Sequence, residues 1–127
     1  PSRRRRTNNY DRLMASPILE RVKAHRDAIG RKEIEVAEWP DEDGAPTILY
    51  ASPITLAEMR KWYKGISGED IGVLVDVLIA KAEDKAGEKV FSLEDKQPLL
   101  RTAEFSVISR ISTAILDHES SDDLEKN

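Results

Sequence analysis

Residues 54–82 are ITLAEMRKWYKGISGEDIGVLVDVLIAKA, a segment that predicts two consecutive helices. The first has a capping box, in which the Thr55 hydroxyl accepts a hydrogen bond from a free backbone N–H and Glu58 reaches back to the N–H of Thr55. We therefore expect a helix over residues 56–64. Gly65 is placed where a helix-ending glycine belongs, so the helix is predicted to stop there.

The second helix is predicted to form the centre of the core. Residues 67–70, Ser-Gly-Glu-Asp, open it with acids that favour the positive end of the helix dipole. Apolar residues then follow the spacing of one continuous buried face, and we expect the helix to end near Gly87. These residues are Ile71, Leu74, Val75, Leu78, Ile79 and Ala82.

Upstream of this pair, the apolar pattern changes to a period of two, which is typical of a strand. Ile34 and Val36 share one face over residues 32–39, and the other face holds Glu33, Glu35, Ala37 and Trp39. Residues 40–46 are dense in turn formers, and residues 47–51 are again rich in β-branched and aromatic side chains. The two runs predict an antiparallel hairpin with one solvent-facing side.

The flanking segments predict three more helices. Ser16-Pro17 and Gly30 bound a helix over residues 17–29. A short helix follows the capping residue Ser92 and is limited to about two turns by Pro98. Thr102 is placed to cap the last helix, residues 103–117, whose apolar face comprises Phe105, Ile108, Ile111 and Ile115. The predicted fold class is mainly α with a small antiparallel β-hairpin (α+β) and about five helical segments.

Length and composition fit one small domain without disulfides. The chain has 127 residues and no cysteine, which excludes disulfide bonds, thiolate catalysis and thiolate metal ligands. Its longest apolar stretch, residues 71–80, is broken by Asp76 and has about half the length of a membrane-spanning helix. We expect a cytoplasmic protein with no membrane partner.

Charge is distributed unevenly along the chain. Residues 1–13 contain five arginines and one acid, whereas the rest contains 15 basic and 23 acidic residues. An acidic body repels phosphates, so DNA could bind only through the arginines of residues 3–6, and no nucleic-acid partner is expected. We interpret residues 1–13 as a disordered, upstream or non-native extension, with a functional basic arm as the alternative. Residues 14–117 are predicted to form one domain, and residues 118–127 a disordered acidic tail.

The sequence offers little for catalysis. His25 lies on the charged face of the first helix and His118 begins the acidic tail, so both are interpreted as solvated. Residues 41–44, Asp-Glu-Asp-Gly, contain part of a calcium-loop pattern, but the glycine comes too early and no closing acid follows. We predict that the protein is not an enzyme and has no catalytic residue, cofactor or metal site.

Four large amphipathic side chains are the candidates for binding a protein partner: Trp39, Tyr50, Trp62 and Tyr63. One explanation is that they pack between the hairpin and the helices. The functional alternative is that one or two of them, with Trp39 and Trp62 favoured, belong to an exposed patch that anchors a partner.

Three segments, in order, resemble the tail assembly chaperones of long-tailed bacteriophages. Residues 35–39, EVAEW, are similar to a strand that ends in Glu-Trp. Residues 53–58, PITLAE, are similar to the Leu-Thr-x-x-Glu that opens the next helix of the family, and residues 84–95, DKAGEKVFSLED, to the segment before its C-terminal helices. The likeness covers about residues 18–116. It departs at Pro40, where the family usually has glycine, and at residues 50–52, where it often has a basic residue.

The resemblance implies a non-enzymatic role in phage or prophage tail morphogenesis. Such a chaperone binds the apolar, helical tape measure protein, keeps it soluble, and helps tail-tube subunits polymerise around it. It implies self-association, contact with the major tail tube protein, residence in the bacterial cytoplasm and absence from the mature virion. A longer frameshifted product is a further feature of such families. The alternative is a structural tail component, a tube or completion protein that stays in the virion.

Overall fold

The computed structural model describes residues 16–117, which divide after Gly30 into two units. The elements are α1 (Pro17–Ile29), β1 (Lys32–Pro40), β2 (Pro46–Ala51), α2 (Leu56–Ser67), α3 (Ile71–Lys81), a 3-10 turn (Leu93–Asp95), α4 (Lys96–Thr102) and α5 (Phe105–Leu116). The prediction of a mainly α fold with a small antiparallel hairpin is confirmed. The predicted extension (residues 1–13), the predicted tail (118–127) and His118 lie outside the described residues, and the prediction of one domain over residues 14–117 stays a prediction.

The first unit consists of α1, which begins and ends where the sequence predicts. The Ser16 hydroxyl accepts from the N–H of Leu19 at 3.1 Å. Gly30 takes a φ of 70°, a left-handed value that favours glycine, while its N–H donates to the Arg26 carbonyl at 3.3 Å. No residue of α1 is buried, and its apolar residues Ile18, Leu19 and Val22 are exposed.

The second unit begins with the hairpin. β1 pairs antiparallel with β2, with Ile34 opposite Leu49 and Val36 opposite Thr47. Ile34 and Val36 are buried, as the period-two pattern predicts. The register shifts between Val36 and Pro40, and Trp39 then packs against the core. The prediction that Trp39 shares the solvent face is therefore wrong, because the irregularity interrupts the alternation of the strand.

The helix α2 has the predicted start but a later end. The Thr55 hydroxyl accepts from the Glu58 N–H at 3.1 Å, and the Glu58 carboxylate accepts from the Thr55 N–H at 2.9 Å. The helix continues through Gly65 to Ser67. A Cβ at Gly65 would lie 3.0 Å from side-chain atoms of Val73, so this glycine permits a close approach of α3 rather than ending α2.

The central helix α3 is capped by Asp70, whose carboxylate accepts from the Gly72 N–H at 3.0 Å. It contacts α2, α4 and α5, and its C-terminal half is buried on several sides. The single buried face that was predicted is therefore incomplete: Val73 and Val77 are buried as well, whereas Ile71 is 58% exposed.

The same helix ends at Lys81, six residues before the predicted Gly87. The reason lies in residues 82–92, which we term the α3–α4 link. In it, Glu83 forms isolated antiparallel bridges with Tyr50 of β2 and with Lys89. The Tyr50 and Glu83 backbones exchange two hydrogen bonds of 2.8 Å, which replace the continuation of the helix.

The C-terminal helices complete the core. Thr102 ends α4, and its hydroxyl donates to the Pro98 carbonyl at 2.7 Å instead of capping α5. Of the predicted apolar face of α5, Ile108, Ile111 and Ile115 are buried, whereas Phe105, at the start of the helix, is 60% exposed. Ser112 is buried and donates to the Leu74 carbonyl at 2.8 Å, which joins α5 to α3. The buried cluster comprises Ile34, Val36, Leu49, Ala51, Trp62, Val73, Val75, Val77, Leu78, Ile79, Ala82, Val107, Ile108, Ile111 and Ile115.

Candidate functional site

The four aromatic candidates lie in different environments. Trp62 is 4% exposed and belongs to the buried cluster, so it is not part of an exposed patch. Trp39 is half-buried and meets the ring of Phe91 edge to face, at 6.2 Å between centroids. Tyr50 is half-buried beneath the Arg31 guanidinium, which lies 4.8 Å from its ring centroid. Tyr63 is 64% exposed. Within residues 16–117, no ring contact joins any two of the four candidates.

An open groove lies beside Trp62. It has a volume of about 660 Å³, within the range of ligand-binding clefts. Most of its lining is apolar, with lysines, a serine and one carboxylate among the apolar groups. The lining residues are Lys61, Trp62, Val73, Asp76, Ile79, Ala80, Lys89, Phe91, Ser92 and Leu93. We refer to this set as the groove.

Three segments build the groove. Lys61 and Trp62 come from α2, residues 73, 76, 79 and 80 come from one side of α3, and the rest come from the link and the first residue of the 3-10 turn. The α3 residues line one feature because side chains three or four positions apart share a helix face. Leu93 is 82% exposed, so it offers an unburied apolar side chain at the groove.

The link is fixed by contacts from Arg31 and by a hydrogen bond between its own residues. The Arg31 guanidinium donates to the backbone carbonyls of Asp84 at 2.9 Å and Lys85 at 2.7 Å, and to the Glu83 carboxylate at 3.3 Å. The Val90 N–H donates to the Ala82 carbonyl at 3.2 Å. A hydrogen-bonded segment of this kind holds its shape without being a helix or a strand.

The charged groups at the groove are mostly basic. Asp76 pairs with Lys96 at 2.9 Å, and this hydrogen bond raises the pKa of Lys96. Lys89 donates to the Ala80 carbonyl. Within the described part of the chain, neither Lys61 nor Lys89 forms an ion pair with a carboxylate. Two lysines without a carboxylate partner therefore border an apolar surface.

Other candidate chemistry has structural explanations. The Asp41 carboxylate accepts from the N–H groups of Asp43 at 2.8 Å and Ala45 at 3.0 Å, which accounts for its place in the hairpin turn. No group of three or more His, Asp or Glu side chains that could hold a metal ion occurs in residues 16–117. Across the same residues, every helix is too short or too polar to cross a membrane.

Comparison with known proteins gives no further guide, since no family model, curated protein or solved structure matches the chain. Of the predicted candidates, Trp62 lines the groove, whereas Trp39 is not among the lining residues and contacts the ring of Phe91. Sequence reasoning missed Lys61, Lys89, Phe91 and Leu93. The sequence pattern that could have indicated this site is Phe91-Ser92-Leu93, in which a capping serine has one large apolar residue on each side.

Proposed function

We propose that this protein is a non-enzymatic tail assembly chaperone of a long-tailed bacteriophage or prophage, which uses the groove to bind its tape measure protein. The observation that carries the proposal is the open, largely apolar groove beside Trp62, edged by the exposed Leu93. Exposed apolar surface of this kind is typical of sites for protein partners. The three ordered sequence segments that resemble the chaperone family supply the identity of the partner.

The proposed mechanism is the shielding of apolar helices. A tape measure protein is a long helical chain, and its exposed apolar stripes would associate with one another in solution. Many copies of the chaperone cover these stripes, and their acidic bodies keep the covered assembly soluble by mutual repulsion. Weak contacts at single sites suffice because many copies act along one chain. Tail-tube subunits then displace the chaperone as they polymerise, which leaves it in the host cytoplasm.

Co-expression tests the central step. The chain is produced together with the tape measure protein of the same phage genome, and the soluble fraction is analysed by size-exclusion chromatography with light scattering. We expect the tape measure protein to be soluble only when the chain is present, and to elute with several copies of it. Equal solubility without the chain, and no complex, would contradict the proposal. The light-scattering mass of the chain alone tests its self-association.

A matched pair of variants tests the groove. Leu93 is 82% exposed at the groove, and Leu56 is 90% exposed outside it. We expect Leu93→Asp to abolish the complex and Leu56→Asp to leave it intact, with both proteins folded by circular dichroism. If the two variants behave alike, the groove is not the docking site.

The alternative role is a structural tail component, a tube or completion protein. Mass spectrometry of purified virions separates the two roles. A chaperone is absent from finished particles, whereas a structural component is present in a fixed ratio to the other tail proteins.

A further inference from the structure

We propose that the groove selects helical segments whose apolar stripe is bordered by carboxylates, with Lys61 and Lys89 as the groups that pair with those carboxylates. The inference names the chemistry of the partner and rests on the proposed function only in taking the groove as the docking surface. It follows from three features of the groove: its charge, its apolar lining and its backbone hydrogen bonds.

The charge at the groove is opposite to that of the chain as a whole. The formal net charge is -4, and yet Lys61 and Lys89 border the groove without an ion-pair partner among residues 16–117. The carboxylate in the lining, Asp76, is already paired with Lys96. A ligand with carboxylates beside its apolar contacts therefore meets a local surplus of positive charge. Such complementarity determines which partner is accepted more than how tightly it binds.

The apolar lining provides the contact area. Trp62, Val73 and Ile79 are buried beneath the groove, and its accessible apolar side chains are the half-buried Phe91 and the exposed Leu93. A helix that carries apolar residues at positions i, i+3, i+4 and i+7 presents a stripe of matching character.

Two backbone N–H groups beside the groove are already hydrogen-bonded within the fold, and a helical ligand does not depend on the other backbone groups there. An extended ligand needs free N–H and carbonyl groups on its receptor, as in strand addition. Here the Val90 N–H donates to the Ala82 carbonyl at 3.2 Å and the Ser92 N–H donates to the Asp95 carboxylate at 2.8 Å. A helix satisfies its own backbone and needs only the side chains that the groove offers.

Two synthetic helical peptides test the proposal with the full chain. They share one leucine stripe, and the residues that border it are glutamates in the first peptide and lysines in the second. Fluorescence anisotropy measures both affinities at low and at high salt. The overall acidity of the chain favours the lysine peptide, whereas the groove favours the glutamate peptide. We expect the glutamate peptide to bind about 10-fold more tightly at low salt, a preference that shrinks as salt screens the pairs.

Charge-swap variants assign the preference to the two lysines. Lys61→Glu/Lys89→Glu is expected to reverse it, while Lys64→Glu/Lys85→Glu, which changes the net charge equally outside the groove, keeps it. Because Lys89 also donates to the Ala80 carbonyl, Lys61→Glu is measured alone and should weaken the preference. A preference for the lysine peptide, no preference, no binding of either peptide, or an equal effect of the two double variants would each overturn the proposal.

The outcomes separate this inference from the proposed function. If the tape measure protein is not bound but the glutamate peptide is selected through the two lysines, the inference stands and the proposed function fails. If the tape measure protein is bound through Leu93 but neither peptide is preferred, the proposed function stands and the inference fails.

Discussion

Lys81 donates to both carboxylate oxygens of Glu58, with its Nζ 2.9 Å from Oε1 and 3.1 Å from Oε2. The lysine is 5% exposed and also donates to the Pro53 carbonyl at 3.4 Å. Glu58 accepts from the Thr55 N–H as well, so one carboxylate links the start of α2 to the end of α3. Burial raises the pKa of Glu58, but the hydrogen bonds from Thr55 and Lys81 outweigh it and lower that pKa overall.

Removing the charge of Glu58 should therefore destabilise the fold. Glu58→Gln leaves a buried ammonium without a carboxylate, and we expect the free energy of unfolding to fall by about 2–4 kcal/mol. Urea denaturation measures the change. In the double variant Glu58→Gln/Lys81→Met the buried charge is gone, and part of the loss should be recovered. A double variant less stable than the single one would contradict this account.

Gly65→Ala should destabilise the protein, although alanine normally stabilises a helix interior by about 1 kcal/mol relative to glycine. The new Cβ would meet Val73 atoms at 3.0 Å, and the overpacking should cost about 1–3 kcal/mol. Thermal denaturation measures the effect. Adding Val73→Ala removes the two opposing Cγ atoms, one of them at 3.0 Å, and leaves only the Val73 Cβ, so the double variant should lose less stability than the sum of the two single changes. Simple additivity would show that the two residues do not compete for space.

The pair between β1 and α5 predicts a response to acid. Arg110 donates to both carboxylate oxygens of Glu38, at 2.7 and 2.9 Å, and this hydrogen bonding lowers the pKa of Glu38 from 4.5 to about 2. Because the folded-state pKa is depressed, the contribution of the pair to stability is present above pH 4.5 and is lost as pH falls from 4.5 towards 2. Carboxyl NMR titration should show the pKa of Glu38 rising towards 4.5 in Arg110→Gln. Arg101→Gln, an exposed change on α4, should leave it unaltered.

The two tryptophans should report different environments. In Trp39→Phe the remaining indole is Trp62, 4% exposed, and we expect short-wavelength emission with weak acrylamide quenching. Because Trp62 also lines the groove, its emission should change when a groove ligand binds. In Trp62→Phe the half-buried Trp39 should be quenched more readily. Stronger quenching of Trp62 than of Trp39 would contradict the placement of the two rings.

Hydrogen exchange should separate α1 from α3. An isolated helix of 13 residues is marginal in water, and no residue of α1 is buried. We expect its amides to exchange orders of magnitude faster than those of α3, whose C-terminal half is buried. Equal protection in the two helices would contradict the exposure of α1.

Structural features that depend only on residues close together in the chain could be predicted from the sequence. The caps at Ser16 and Thr55 and the alternation of Ile34 and Val36 depend on short stretches of chain, and the structure has all three. The local sequence around Gly65 likewise predicts a helix end, and this prediction is wrong. The role of Gly65 depends on Val73, a contact between two helices that no local pattern specifies.

The groove depends on contacts between distant residues, which is why most of it was missed. Its link belongs to no helix, because Glu83 pairs with Tyr50, 33 positions earlier in the chain. Trp62 is a candidate because of its size, and size does not tell whether a side chain lies inside the core or at its edge. The register shift near Trp39 likewise depends on how two strands meet.

The link has a consequence for the kinetics of recognition. Arg31 and Tyr50 fix its backbone from outside, and the hydrogen bond from Val90 to Ala82 fixes it from within; all of these bonds form with the fold itself. A preorganised receptor surface loses little conformational entropy at docking and requires no slow closing step. Association with a helical ligand should then be fast, and differences in affinity between ligands should arise mainly from their dissociation rates.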